Sequence, residues 1–431
     1  MGAGLSLTLE TAKYTLLNTQ TQIQAASNNV SNAGNKTYAK QKVILQSNPA
    51  YRTAGGWIGT GARVSQVAQL RDLYIEQRLR NSITDENQYG SLATHLGSIQ
   101  DAFADDGATG ISEMLGKFWD SWDQLGQAPD VVASQTGVYD SAANLADSIK
   151  AAYNRLNEIA GQLPVEIDDT VAQANAIINN IADMNIKIIQ AEGGTGYQAN
   201  DLRDERYAAL QDLAKLIPVT YSEDASGAVT VTTTDSSGPV TIVSAGTATP
   251  ITNAMTITGG QLGGLKNAIA DLTGYMDQLD DFAGTLIAQV NSLHGQNSGP
   301  AVFTGSGAAD ITASTTFLDG QTSADEMARA QKLAALQDEK VTFTDGSSAT
   351  FSGYLGNIEK QIGLDVDQAE TGKSYNEALH ASLDIQQQSV SGVSIDEETV
   401  DLLQFQRVYQ AAAKIVDMTS QMLNAIIAMV K

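Results

Sequence analysis

Apolar residues recur with heptad spacing at both ends of the chain. Near the N-terminus the positions step alternately by four and three, with one threonine in the series: Leu5, Leu9, Ala12, Leu16, Thr19, Ile23, Ala26 and Val30. Near the C-terminus the alternation returns, again with one threonine, at Leu402, Phe405, Tyr409, Ala412, Val416, Thr419, Leu423, Ile426 and Val430. We call these positions the first series. Because this spacing is typical of coiled-coil helices, we expect the two ends to pair, parallel or antiparallel, in an assembly domain of residues 1–60 and 390–431.

The C-terminal helix carries a second apolar series beside the first. Its members are Val408, Ala411, Ile415, Met418, Met422, Ala425 and Met429. If the first series packs on the N-terminal helix, the second stays in water, and burying its large members would contribute about 10 kcal/mol as an upper bound. We therefore expect this helix, above all at Ile415, Met418 and Met422, to contact further subunits. The alternative is a terminal helix that is buried within its own globular domain.

Helical periodicity also dominates the middle of the chain. It predicts helices over residues 67–103, 111–125, 133–191, 201–216, 262–293, 324–337 and 355–389. Pro164 interrupts the third of these and is expected to kink or break it, and Pro218 is expected to stop the fourth. We assign residues 61–217 and 260–389 to one helical-bundle domain.

Short β elements interrupt the helices. Apolar and polar residues alternate at Val229-Thr230-Val231-Thr232 and at Val240-Thr241-Ile242-Val243, so residues 218–259 are predicted to form a small inserted β-rich outer domain. A β-hairpin is predicted at residues 341–351 around Asp345-Gly346, and an extended linker with β character at residues 32–61. The fold class is therefore mainly α with a small β domain and paired terminal coiled-coil helices.

Short motifs flank the terminal helices. Residues 25–33 are AASNNVSNA, residues 37–41 are TYAKQ, residues 55–61 are GGWIGTG and residues 386–398 are QQQSVSGVSIDEE. These motifs resemble the N- and C-terminal signatures of the flagellar rod, hook and hook-associated proteins. The stretch around Trp57 and the run at 386–398 favour the family of the first hook-associated protein, FlgK. The terminal motifs alone would also admit the hook protein or the third hook-associated protein.

The resemblance implies a structural component of the bacterial flagellum that joins hook to filament through its terminal helices. It implies as partners copies of the chain itself in a ring at the hook end, the hook protein, the third hook-associated protein, and a FlgN-type export chaperone on the C-terminal helix. It also implies an extracellular location reached through the flagellar type III channel. The N-terminus lacks the charged region, apolar core and cleavage site of a secretory signal peptide, which agrees with that route.

Composition narrows the classes of partner. The formal net charge is −24, from 25 basic and 49 acidic residues, and Lys266 is the only lysine or arginine between Leu216 and Ala328. Nucleic acids and anionic membranes are disfavoured as partners, because phosphate contacts need clusters of Lys and Arg. The chain has no cysteine, and no run approaches about 18 uninterrupted apolar residues.

The sequence offers little that suggests catalysis. His95, His294 and His380 lie far apart without metal-ligand spacing, and His294 is expected at a helix end. Trp119 and Trp122 are expected in a core. The pairs Asp280-Asp281 and Asp365-x-Asp367 are expected to be solvated acids. We predict no catalytic, cofactor or metal site, which leaves a filament-borne adhesin as the main alternative function and an enzyme as a third.

Overall fold

Long helices and small antiparallel sheets make up the computed structural model, which describes residues 2–53, 56–103, 110–193, 197–295, 300–318 and 323–430. The helices are α1 Gly2–Ser31, α2 Leu73–Phe103, α3 Ile111–Gln127, α4 Val132–Glu192, α5 Asn200–Leu216, α6 Gly260–His294, α7 Ser323–Ala335, α8 Phe351–Ser391 and α9 Ile395–Val430. The strands are β1 Gln41–Ser47, β2 Tyr51–Thr53, β3 Gly56–Ile58, β4 Ala62–Gln69, β5 Thr220–Glu223, β6 Val229–Asp235, β7 Gly238–Ser244, β8 Thr247–Ala248, β9 Phe303–Thr304, β10 Thr312–Ala313, β11 Val341–Thr342 and β12 Ser348–Ala349. The fold class, mainly α with small β elements, is as predicted.

Two of the predicted helices differ from the structure. Helix α2 begins at Leu73 and not at residue 67, because β4 continues to Gln69 as the antiparallel partner of β1. Helix α4 runs without a break for 61 residues with Pro164 inside it, so the predicted break is wrong. Proline removes one backbone hydrogen bond, but Leu163 and Ile167 on either side remain buried, and their packing favours continuation of the helix.

The chain forms two compact units. One comprises Met1–Thr84, Gln173–Ile257 and Asn376–Lys431, and the other comprises Asp85–Ala172 and Thr258–Tyr375. This grouping differs from the three domains predicted from the sequence. The terminal helices share the first unit with the four-stranded sheet that was predicted to be a separate outer domain.

A side chain of helix α4 ties the sheet to that unit. Strands β5 to β8 form a four-stranded antiparallel sheet, and Val229, Val231, Ile242 and Val243 on its inner face are fully buried. Asn185 on α4 bonds the Val229 backbone twice, donating to its carbonyl (2.8 Å) and accepting from its N–H (3.1 Å). The alternation along β6 predicts a strand with one buried face, but it does not say that α4 would cover it.

Aromatic side chains fill the core of the second unit. Phe118, Trp119 and Trp122 are at most 1% exposed, which confirms that the tryptophans are core residues. The hairpin β11–β12 turns at Gly346, whose φ of +85° is in the left-handed region that favours glycine.

Three of the four paired aspartates accept hydrogen bonds from loops or side chains. Asp280 is nevertheless exposed, as predicted for a solvated acid, whereas Asp281 and Asp365 are half-buried. Asp280 accepts a hydrogen bond from the Ala308 N–H (2.9 Å), and both carboxylate oxygens of Asp281 accept from the Thr344 N–H (3.1 Å each). Asp365 accepts from the Tyr275 hydroxyl. Asp367 is exposed, as predicted.

His294 should make the second unit sensitive to acid. It is the last residue of α6, as predicted, and it is 1% exposed, with Nδ1 2.7 Å from the Pro300 carbonyl oxygen. Burial lowers its pKa below the ordinary 6.5, with a smaller contribution from Arg329. The unfolded chain therefore takes up this proton at a higher pH than the folded chain does, and stability is lost as pH falls below about 6.5. Lowering the pH from 7.5 to 5.0 should reduce the free energy of unfolding, measured in urea, more in the unaltered chain than in His294→Phe. Equal reductions in the two proteins would contradict this expectation.

Candidate assembly surface

Helices α1 and α9 pack against each other in antiparallel order. The amide of Asn29, in the last turn of α1, donates to Glu398 Oε2 (3.1 Å) in the first turn of α9. The heptad pattern left the direction of pairing open, and this contact fixes it. The helices of 30 and 36 residues then run back from that point side by side.

Most members of the first series lie in this interface. Ala12, Thr19, Ala26, Ala412 and Thr419 are buried. The partly buried members are Leu5, Leu9, Leu16, Ile23, Val30, Leu402, Phe405, Val416, Leu423 and Ile426. Tyr409 is 41% exposed and so differs from the rest, and the side chain of Val430 lies outside the described residues. Small residues at the buried positions let the two helices approach closely.

The second series remains exposed on α9. Ile415, Met418 and Met422 are 43%, 49% and 51% exposed. The side chain of Met429 lies outside the described residues. Because monomeric proteins seldom expose a contiguous apolar strip along a helix, this surface is a candidate for contact with another protein.

Asn29 joins three segments at the base of the helix pair. Its Nδ2 donates to the Gln41 carbonyl (3.0 Å) and to Glu398, while its Oδ1 accepts from the Gln41 N–H (2.9 Å) and the Tyr38 hydroxyl (2.8 Å). All four hydrogen-bonding positions of the amide are therefore used in a site that is 1% exposed. Sequence reasoning placed Asn29 in a motif without giving it a role. The signal available in the sequence was that Asn29, a polar residue, directly precedes Val30 of the first series.

Lys40 adds an ionic contact at the same place. The backbone N–H of Lys40 donates to the Ser391 carbonyl (2.8 Å). The side-chain Nζ lies 2.9 Å from Glu398 Oε1 and 3.3 Å from Glu397 Oε2. Burial alone would lower the pKa of Lys40, but the hydrogen bonds and charges of the two glutamates raise it. The N-terminal and C-terminal motifs thus meet here, and the acidic first turn of α9 also complements its helix dipole.

Asn29→Asp should therefore lower the free energy of unfolding by about 3 kcal/mol, because it disrupts the contacts at the base of the helix pair. The change replaces two donors by acceptors and places a second carboxylate against Glu398. Urea unfolding followed by circular dichroism would measure the loss. Asn28→Asp is the matched control, because the Asn28 side-chain oxygen accepts from the Asn32 amide and an aspartate keeps that role. Equal stability of the two variants would refute the role of Asn29.

The β2–β3 hairpin exposes apolar side chains on both of its faces. Trp57 on β3 is 72% exposed and is paired across the hairpin with Arg52. Tyr51 and Ile58, which are paired with each other on the other face, are 55% and 46% exposed. Gly55, which opens the GGWIGTG motif, lies outside the described residues.

Known flagellar proteins are similar to this chain. A model described as the flagellar hook-associated protein FlgK helical domain matches residues 96–255, and one described as the flagellar basal body rod FlgEFG protein C-terminal matches residues 386–429. Flagellar hook-associated protein 1 of Bacillus subtilis (strain 168) is 23% identical over 495 aligned residues, covering 97% of this chain and 97% of that protein. The chain is therefore similar to a flagellar hook-associated protein 1 along nearly its whole length.

Other proteins named hook-associated protein 1 match over part of their length. The protein of Salmonella typhimurium (strain LT2) is 30% identical over 217 residues, covering 49% of this chain and 38% of that protein. A solved structure, described as the flagellar hook junction protein FlgK from Burkholderia pseudomallei, has a TM-score of 0.60 at 12% identity and covers 73% of this chain and 100% of that chain. The latter likeness shows the fold, and the names of these relatives agree with the resemblance of the terminal motifs.

The described residues contain neither a metal-ligand cluster nor a membrane-spanning helix. In the described ranges, no three His, Asp or Glu side chains are grouped so that they could hold a metal ion. None of the helices, over the part of the chain that the structure describes, is both long and apolar enough to cross a membrane.

Proposed function

We propose that this chain is a structural subunit that joins the flagellar hook to the filament and assembles through α1 and α9. The observation that supports the proposal is that the two apolar series of α9 differ in burial. Its first series packs on α1, and its second series, with Ile415, Met418 and Met422, is left exposed. A helix with two apolar faces and one partner can bury the second face only against another subunit.

The partners of the second series would be neighbouring axial subunits. Copies of this chain in a ring at the hook end, the hook protein on one side and the third hook-associated protein on the other would supply them. The relatives reported above carry the name hook-associated protein 1, which favours this role over that of the hook protein or the third hook-associated protein. A net charge of −24 keeps the free subunit soluble despite its apolar strip.

Export would require the strip to be covered before assembly. We place the protein in the extracellular flagellum, reached through the flagellar type III channel. A FlgN-type chaperone would hold α9 in the cytoplasm, with the second series as its contact, because an exposed apolar helix face tends to aggregate.

Deleting the gene in the bacterium that carries it tests the function. The cells should form hooks without filaments and lose motility, and the full-length chain supplied on a plasmid should restore both. Filaments attached normally in the deletion strain would contradict the proposal. Normal filaments combined with a loss of surface attachment would point to an adhesin instead.

A further inference from the structure

An arginine-lined cleft lies in the same compact unit as the terminal helices. It has a volume of about 530 Å³, and its walls include Arg71, Arg80, Arg203, Arg206, Tyr207 and Tyr221. Four arginines in one cleft are unexpected in a chain with only 25 basic residues and a net charge of −24. Glu223 is the one carboxylate among the described residues that line it.

Two of these arginines are fully paired. Arg71 bonds Glu76 through Nη1 (2.7 Å) and Asp204 through Nη2. Arg203 bonds Glu192 through Nε (2.7 Å) and Glu223 through Nη1 (2.7 Å). These ion pairs hold the walls of the cleft together.

Arg80 is not satisfied in the same way. Its side chain is 4% exposed, and in the described part of the chain neither Nε nor Nη1 has a hydrogen-bond acceptor. The one described carboxylate oxygen within 4.0 Å is Glu76 Oε2, at 4.0 Å, and Glu76 already accepts from Arg71 and from the Tyr221 hydroxyl (3.2 Å). The guanidinium stacks on the Tyr221 ring, with Cζ 4.4 Å from the centroid. A buried cation with unused donors favours an additional acceptor.

Arg206 shares its carboxylate partner, Glu223, with Arg203. It donates to the Asn185 side chain (2.9 Å) and the Gly227 carbonyl (2.6 Å), and it bonds Glu223 (2.9 Å). Burial lowers the pKa of Arg206 in spite of Glu223, and the charge of Arg203 lowers it further. Added negative charge in the cleft would therefore stabilise its protonated form.

We propose that this cleft binds a carboxylate, supplied either by an acidic side chain of a second copy of this chain or by a small free dicarboxylate. A planar guanidinium matches a carboxylate in two parallel hydrogen bonds. The exposed amide of Gln77, which also lines the cleft, adds a neutral donor at its rim. The four arginines are balanced by four carboxylates, so a singly charged carboxylate group is favoured over a phosphate, whose second charge Glu223 would repel. The inference does not depend on the proposed function.

Glutarate is the first probe, because each of its ends resembles a glutamate side chain. Calorimetry on the full chain, with sodium chloride and sodium sulfate at matched ionic strength as references, should detect saturable binding of glutarate alone. Gln77→Glu should weaken binding about fivefold and Gln77→Lys should strengthen it about fivefold, since each adds a charge at the rim without disturbing the buried pairs. Arg80→Gln should weaken it at least about tenfold.

Arg78→Gln is the matched control for net charge. Arg78 is exposed on the same helix, one residue after Gln77, and does not line the cleft. Glutarate should bind this variant as it binds the unaltered chain. Equal affinity for all five forms, or heats no different from those of chloride and sulfate, would overturn the proposal.

Sedimentation of the full chain at low salt distinguishes the two sources. If a second copy supplies the carboxylate, self-association should weaken in Gln77→Glu, strengthen in Gln77→Lys and be competed by glutarate. If glutarate binds with the expected charge dependence while self-association does not change, the ligand is a small free dicarboxylate. Filament attachment by these variants can be scored separately, so failure here is distinguishable from failure of the junction role.

Discussion

Ile415→Asp should abolish the attachment of filaments to hooks while leaving the free subunit folded. Ile415 lies at the centre of the exposed second series and is 43% exposed in the subunit. In solution the aspartate stays hydrated, so the thermal midpoint should move by no more than about 2 °C. In an assembled interface the same carboxylate would be buried without a partner, at a cost of several kcal/mol. Electron microscopy and swimming assays would measure the first effect, and differential scanning calorimetry the second.

Asn424→Asp is the matched control for this substitution. Asn424 is exposed on the same helix and belongs to neither apolar series, and the variant introduces the same charge. We expect normal filaments and swimming. If Ile415→Asp cells swim normally, or if both variants lose filaments alike, the second series is not the interface.

The far ends of α1 and α9 should exchange their amide hydrogens rapidly in the free subunit and slowly after assembly. Asn18 ties α1 to β4, donating to the Ala62 carbonyl (2.7 Å) and accepting from the Val64 N–H (3.1 Å). Beyond that tie, among described residues 4–17 and 410–428, the buried side chains are Ala12, Ala412 and Thr419. Three small side chains bury little apolar area, and isolated helices of this length are marginal in water.

Hydrogen exchange with mass spectrometry checks this expectation. Protection over residues 4–17 and 410–428 should rise about a thousandfold or more on assembly, which corresponds to about 4 kcal/mol of added local stability. Helix α3, with Phe118, Trp119 and Trp122 in a core, serves as an internal reference that is protected in both states. Strong protection of the far ends in the free subunit would contradict the interface assignment.

The terminal helices could be predicted because heptad spacing depends on burial along one face, which any partner would enforce. The direction of pairing could not, since the first series can face α1 in either order. The direction depends on Asn29 and Glu398, which are 369 positions apart and whose contact leaves no periodic signal. The exposed strip was predictable for the same reason as the pair, because Ile415, Met418 and Met422 repeat at helical spacing.

Tertiary contacts account for the remaining differences. Alternation along β6 correctly predicted a strand with one buried face, but the bond from Asn185 that ties it to α4 has no local signature. Pro164 reads as an interruption by local rules, and the packing of its neighbours on both sides outweighs its cost. The arginine cleft escaped sequence reasoning because Arg80 and Arg206 are 126 positions apart along the chain.

Antiparallel pairing of α1 and α9 constrains how the protein can be labelled. Because the last turn of α1 lies against the first turn of α9, anything appended before Gly2 or after Val430 emerges at the same end of the helix pair. An affinity tag or a fluorescent protein at either terminus would therefore lie at the same end of the helix pair. Moving it from one terminus to the other would leave that end obstructed. The turn at Asp345-Gly346 is exposed and lies in the other compact unit, which makes it the better position for a label.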